Sequence, residues 1–152
     1  MGQSGGTVDG VYSEILLMKV GFTGTQIGMT GSQYVAFMDL IALLKPTEFH
    51  HGDCIGADSS AAKLVLSWFP ECAVVCHPPK YATKRAFVGG TILCPAKSYM
   101  DRNRDIVDAC DVLVACPRSD SEELRSGTWS TVRYARRVGK TIRFVFPDGR
   151  VV

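Results

Sequence analysis

Three glycine-bearing stretches of this chain carry the residue types that hold anions. Ser126-Gly127-Thr128 opens the helical pattern SGTWSTVRYARR with hydroxyls and no bulky side chain. Glycine lets backbone amides approach a ligand closely, and the unpaired N–H groups of a helix's first turn, with its dipole, attract phosphate. Ser126 equally suits a plain N-cap, worth about 1 kcal/mol. The stretch GFTGTQIGMTGS contributes Thr23, Gly24 and Thr25, and HGDCIGAD contributes Gly52, Asp53, Cys54, Gly56, Ala57 and Asp58. Asp58 stands where a carboxylate caps a helix or meets its dipole. Asp53, in the loop proper, is a candidate to accept from ribose hydroxyls or to hold a water.

A fourth segment adds polar groups. Tyr99, Asn103, Ile106 and Cys110 follow i, i+4, i+7, i+11, so Asn103 is predicted to point inward on an apolar stripe. A buried amide needs partners, and it either pins neighbouring loops or faces the ligand. Arg102 and Arg104 flank it as candidates to cover phosphates, as electrophiles beside Asp53 if the site were catalytic, or as solvated side chains. Pro117 precedes the third stretch. Trp129 follows it and is a candidate for stacking on a base, although Val132 and Ala135 at helical spacing favour packing.

No metal or resident cofactor is expected. Cys72, Cys76 and His77 lack a second ligand pair at a recognised zinc spacing, and a lone carboxylate seldom makes a metal site.

These residues need a scaffold that gathers them. ILLMKVGF (15–22) has the continuous apolar character of a buried strand, and after its glycine-rich loop Tyr34, Phe37, Met38, Ile41 and Leu44 fall at helical spacing up to Pro46. EFHH (48–51) is a second strand, and Ala61, Leu64, Val65 and Trp68 make a second helix stopped by Pro70. CAVVC (72–76) is a third strand. HPPKYATKRAFVGG (77–90) suits neither period and reads as an excursion, either a lid that brings Lys84 and Arg85 onto phosphates or an exposed connection.

Ser98 to Asp101 has capping-box spacing before a helix reaching about Ala109. DVLVACP (111–117) and TIRFVFP (141–147) are strands on either side of the SGT helix, which Gly139 ends. Apolar strands alternating with helices predict an α/β fold: a Rossmann-like three-layer sandwich with a mainly parallel sheet. All strand-to-helix loops of such a sheet lie at its carboxyl edge, where ligands bind at the reversal of strand order. Residues 1–14 read as a loose leader, without the hydroxyl at position 6 of a myristoylation signal, and 15–152 as one domain.

The bulk numbers agree. The chain of 152 residues is 46% hydrophobic and 21% charged, an ordinary globular composition. A net charge of +2 is far from that of a dedicated nucleic-acid binder, although Arg133, Arg136, Arg137, Lys140 and Arg143 cluster, and Lys80, Lys84 and Arg85 add charge elsewhere. No apolar run spans a bilayer and no secretion signal is visible, so a cytoplasmic protein with six reduced cysteines is expected.

HGDCIGAD, RNRDIV before DVLVACP, and SGTWSTVRYARRVGK leading to a strand and PDG together resemble the SLOG superfamily over about residues 18–149. That superfamily includes DNA-processing protein A, the LOG phosphoribohydrolases and, as relatives, the molybdenum-cofactor carrier proteins. The resemblance implies a nucleotide or nucleotide-derived signal held at the glycine-rich loops, as in sensing or sequestration in bacterial conflict systems, and self-association. LOG enzymes carry a catalytic Glu in Gly-Gly-x-Gly-Thr-x-x-Glu. Matching its Gly-Thr to Gly127-Thr128 puts Thr131 at that Glu, and a hydroxyl cannot act as the acid/base or stabilise an oxocarbenium charge. Glu122 and Glu123, in the preceding loop, are the replacements a glycosidase or phosphohydrolase would need. Single-strand DNA binding would need a basic track with stacking aromatics.

Overall fold

The computed structural model describes residues 17–152. The predicted leader and the first two residues of the predicted 15–22 strand lie outside them. Six strands form one sheet in the order β4-β3-β2-β1-β5-β6, and every neighbouring pair is parallel: β1 (Lys19–Gly24), β2 (Glu48–His51), β3 (Ala73–Cys76), β4 (Ile92–Leu93), β5 (Val112–Cys116) and β6 (Thr141–Phe144). Four α-helices alternate with them: α1 (Gly31–Leu44), α2 (Ala57–Trp68), α3 (Tyr99–Ala109) and α4 (Gly127–Arg137). This is the Rossmann-like α/β sandwich that the pattern predicts.

The pleat sorts the core into two layers. Val20 and Phe22 of β1, with Val114 and Cys116 of β5, face α1 and α2, where Phe22, Phe37 and Phe49 meet at ring-centroid distances of 5.3 to 6.1 Å. Leu113 and Ala115 point the other way, against α3 and α4. On that face β1 has Gly21, because an added Cβ would lie 2.9 Å from Cys110 Sγ. All six cysteines are unpaired. Cys72 packs in the α1/α2 core, while Cys76 and His77 take separate partners, so the Cys-x-x-x-Cys-His spacing forms no common site. Among the described residues no helix is long and apolar enough to cross a membrane.

Local chemistry fixes the helix starts at the carboxyl edge. Thr30 and Gln33 make a reciprocal capping box for α1, and Gln33 Nε2 then donates to the carbonyls of Pro117 (2.9 Å) and Val145 (2.7 Å), tying α1 to the ends of β5 and β6. Ser98 caps α3 and Ser126 caps α4. Strand β1 runs on to Gly24, paired with Cys116, so Thr23 and Gly24 lie at a strand end rather than in the loop where the sequence placed them. Two-residue β4, with both residues exposed, lacks any readable period, so the sequence does not predict it.

Candidate functional site

Strand order reverses between β1 and β5, and the crevice expected there is present. A cavity of about 540 Å³ opens at the carboxyl edge between the ends of β1 and β2, helix α3 and the β5–α4 loop, a volume within the range of small-molecule sites. The three glycine-bearing stretches converge on it. Thr23, Gly24, Thr25, Gly52, Cys54, Asp58, Arg102, Asn103, Ser126, Gly127 and Thr128 all line it.

The start of α4 gives this wall its anion chemistry. The Ser126 hydroxyl accepts the Trp129 amide at 3.3 Å, so the N-cap reading is correct. The amides of Gly127 and Thr128, in the first turn, have no acceptor within the helix and belong to residues on the cavity wall. Gly127 leaves open space: nothing lies within 4 Å of where its Cβ would stand. Lys84, Arg118 and Arg125 add cations to the lining, and Tyr99, Gln26 and Ile27 add an aromatic ring and part of the rim. Lys84 stands where the lid reading of the excursion puts it, and the other five are not among the expected site residues. Lys84 had a visible signal, a cation inside the unassigned excursion, whereas Arg118 and Arg125 sit in a loop with no pattern to mark them.

On the floor, Asp58 Oδ2 accepts the Cys54 amide at 3.2 Å. Burial pushes its pKa up to about 6, against the opposing pull of Arg102 and that amide. Arg102 is itself buried. Its Nη1 donates to the carbonyls of Gly52 and His77, its Nε to Asn103 Oδ1 at 2.7 Å, and its Nη2 reaches Cys54 Sγ at 3.5 Å. The inward-pinning residue of α3 is thus Arg102, not Asn103, and Arg102 neither covers phosphate freely nor lies in solvent. The buried stripe runs through Arg102 and Ile106, and Asn103 sits half-buried beside it at the cavity. Gly52 has no side chain because a Cβ there would press on the Arg102 guanidinium at 2.5 Å.

Asp53 is not a ligand group in this structure. It is fully buried, at φ 54°, a left-handed conformation that Asp tolerates better than most residues. Oδ2 accepts Arg85 Nε at 2.8 Å, and Oδ1 accepts the amides of Val88 (2.8 Å) and Gly89 (3.3 Å). Burial alone would raise its pKa, but these three donors outweigh it and hold the carboxyl below its ordinary value.

His51, Asp53 and Cys76 place three ligand-type atoms within 4.8 Å of one another. Each histidine nitrogen is already engaged, Nδ1 by the Asp53 amide (3.0 Å) and Nε2 by the Gly89 carbonyl (2.7 Å), so the group is a hydrogen-bonded knot.

Other candidates lie off the cavity. Gly56, at φ 93°, admits no Cβ because the Gln26 carbonyl lies against it; the Ala57 amide donates to Thr25 O at 2.9 Å, joining two of the loops from behind. The Pro117 carbonyl is used by Gln33. Trp129 is buried and stacked on Phe144 at 5.6 Å, a core residue rather than a base platform. Arg104 lies over the Tyr134 ring and, with Lys80, lines a separate surface groove. Thr131, also buried, donates its hydroxyl to the Gly127 carbonyl at 3.0 Å. Glu122 pairs with Arg133 and Arg136 away from the cavity, whereas Glu123 lines it, hydrogen-bonded to Arg118, which lowers its pKa. With Lys140 donating to the Cys110 carbonyl and Arg137 over Tyr134, the basic cluster is largely spent on its own neighbours.

The all-parallel sheet, its reversal between β1 and β5, and a cavity at that point define a Rossmann-like domain with an open crevice at its carboxyl edge. Comparison with protein-family models gives no match, and neither does comparison with curated protein sequences. Among solved structures the chain is similar to a molybdenum cofactor binding protein from the phototrophic bacterium Rippkaea orientalis. The two share 20% identity at a TM-score of 0.64, over 86% of this chain and 77% of that one. At that identity the likeness is one of fold.

Proposed function

We propose that residues 15–152 are one SLOG-like domain that binds a nucleotide or nucleotide-derived small molecule in the carboxyl-edge crevice and returns it unchanged, as a sensor or a sequestering protein. One observation carries the reading: the unpaired first-turn amides of α4 open onto a cavity of about 540 Å³ that also holds Lys84, Arg118 and Arg125. Amides and cations converging on one hollow favour a phosphate, and the remaining volume accommodates an attached ring system.

Turnover of the LOG type lacks its acid/base, because Thr131 stands at that position with its hydroxyl committed to Gly127. A cytoplasmic location and self-association belong to the same proposal through the family resemblance.

The test is calorimetric titration with mono-, di- and cyclic nucleotides, ADP-ribose and the molybdenum cofactor bound by the structural neighbour, followed by chromatography of the recovered ligand. Saturable heat with intact ligand is expected, and absence of heat with every compound would overturn the reading. A second reading, nucleotide N-glycosidase, is favoured by the Glu123 carboxylate on the cavity wall. Release of free base, abolished in Glu123→Gln, would establish it in place of the first.

A further inference from the structure

The excursion after β3 is stitched to the β2–α2 loop by one buried carboxylate. Besides the three bonds to the Asp53 side chain, the Asp53 carbonyl accepts the Ala86 amide (2.7 Å) and the Ile55 amide donates to Lys84 O (2.9 Å). Cys54 and Arg85 pair as an antiparallel bridge, and His51 Nε2 holds the Gly89 carbonyl from beneath. The attachment is under backbone strain on both sides, since Asp53 (φ 54°) and Phe87 (φ 59°) are both left-handed.

The two cations of this segment have different fates. Arg85 gives its Nε to Asp53 and rests 4.5 Å over the Phe87 ring, so its charge is used internally. Lys84 makes no ion pair among the described residues, and it lines the cavity. The segment therefore delivers one unpaired cation to the crevice, and the Asp53–Arg85 pair sets where it stands.

We propose that residues 84–89 are a latched strap, with Lys84 as an anion-binding residue of the crevice and Asp53 as the positioning residue that holds Lys84 there through Arg85 and the Val88 and Gly89 amides. This inference rests on the binding function proposed above. It assigns Asp53 a role through another residue, without contact to the ligand.

A double-mutant cycle tests it, with ADP and inorganic pyrophosphate as probes and Kd read by calorimetry at two salt concentrations. Asp53→Asn preserves shape and the left-handed backbone but presents an amide N–H₂ to Arg85. Arg85→Gln breaks the same latch from its partly exposed side and serves if the buried variant folds poorly. Lys84→Ala is expected to weaken binding at least tenfold and to flatten the salt dependence. Each latch variant should do the same, yet add less than twofold in the Lys84→Ala background, because the latch acts through that lysine. In the protein without ligand, Asp53→Asn should speed hydrogen exchange at the Val88 and Gly89 amides. If wild type binds a probe but the latch variants weaken it equally with and without Lys84, or if Lys84→Ala leaves Kd unchanged, the strap is overturned while the crevice reading stands. If wild type binds neither probe, the strap is overturned, and the crevice reading falls with it only when the full panel of nucleotides, ADP-ribose and molybdenum cofactor also gives no heat.

Discussion

At Gly127 a side chain would enter open cavity space without touching the fold. Leucine is a better helix former than glycine by roughly 0.5–1 kcal/mol. Gly127→Leu is therefore expected to leave the urea midpoint unchanged or raised while abolishing nucleotide binding, and calorimetry beside a denaturation curve measures both. A merely structural glycine would give the opposite result, lower stability. Gly52 and Gly56 are such positions, each blocked by Arg102 or by the Gln26 carbonyl. Asp53 shows where single residues mislead. A carboxylate between glycines in a carboxyl-edge loop has the composition of a ligand group, yet its partner Arg85 lies 32 positions on, in a segment whose pattern predicts nothing. No local spacing reports that pairing.

Helix α3 owes its place to Arg102, whose planar fork reaches two carbonyls and a sulfur from one side chain. Arg102→Met would leave the Gly52 and His77 carbonyls without that donor. A cost of about 2 kcal/mol, with looser packing of α3 and weaker binding, is expected from chemical denaturation and titration. Lysine, a point donor, should not rescue it. The sequence placed this helix, its Ser98 cap and its buried face, because amphipathic period and capping chemistry are local. The pinning residue is Arg102 while Asn103 lines the cavity, since Ile106 shares a face with Arg102 as with Asn103, and only the carbonyls of Gly52 and His77, just beyond β2 and β3, decide between them. The five longer strands are legible for the same local reason. Strand β4 did not: Ile92 and Leu93 are both exposed, and two residues carry no alternation. Register with β3 creates that strand, and register is tertiary information.

Over the whole molecule, buried titratable groups set the dependence of stability on pH, and they oppose one another. Burial pushes the His77 pKa down to about 4 and lowers that of His51. The unfolded chain binds those protons more readily, so the stability these histidines allow is complete above about 6.5 and is lost as pH falls towards 4. Asp58 runs the other way. Raised from 3.8 to about 6, it costs stability when ionised at neutral pH and returns it as pH falls through 6. Wild type should therefore lose stability only shallowly between pH 6.5 and 4. Asp58→Asn should be more stable than wild type at pH 7 and fall more steeply over the same window, as urea midpoints would record. A wild-type curve as steep as that of the variant would mean that Asp58 is ionised at no cost.

One reversal of strand order brings the ends of β1 and β2 and the start of α4 around a single hollow, which the proposed function makes an anion site. Titrating ¹⁵N-labelled protein with ADP tests it most directly, amide by amide. The account predicts saturable shifts concentrated at Thr25, Gly52, Gly127 and Thr128, with the far end of the sheet unmoved. Shifts confined to the groove of Lys80 and Arg104, or none at any concentration of nucleotide, would contradict it.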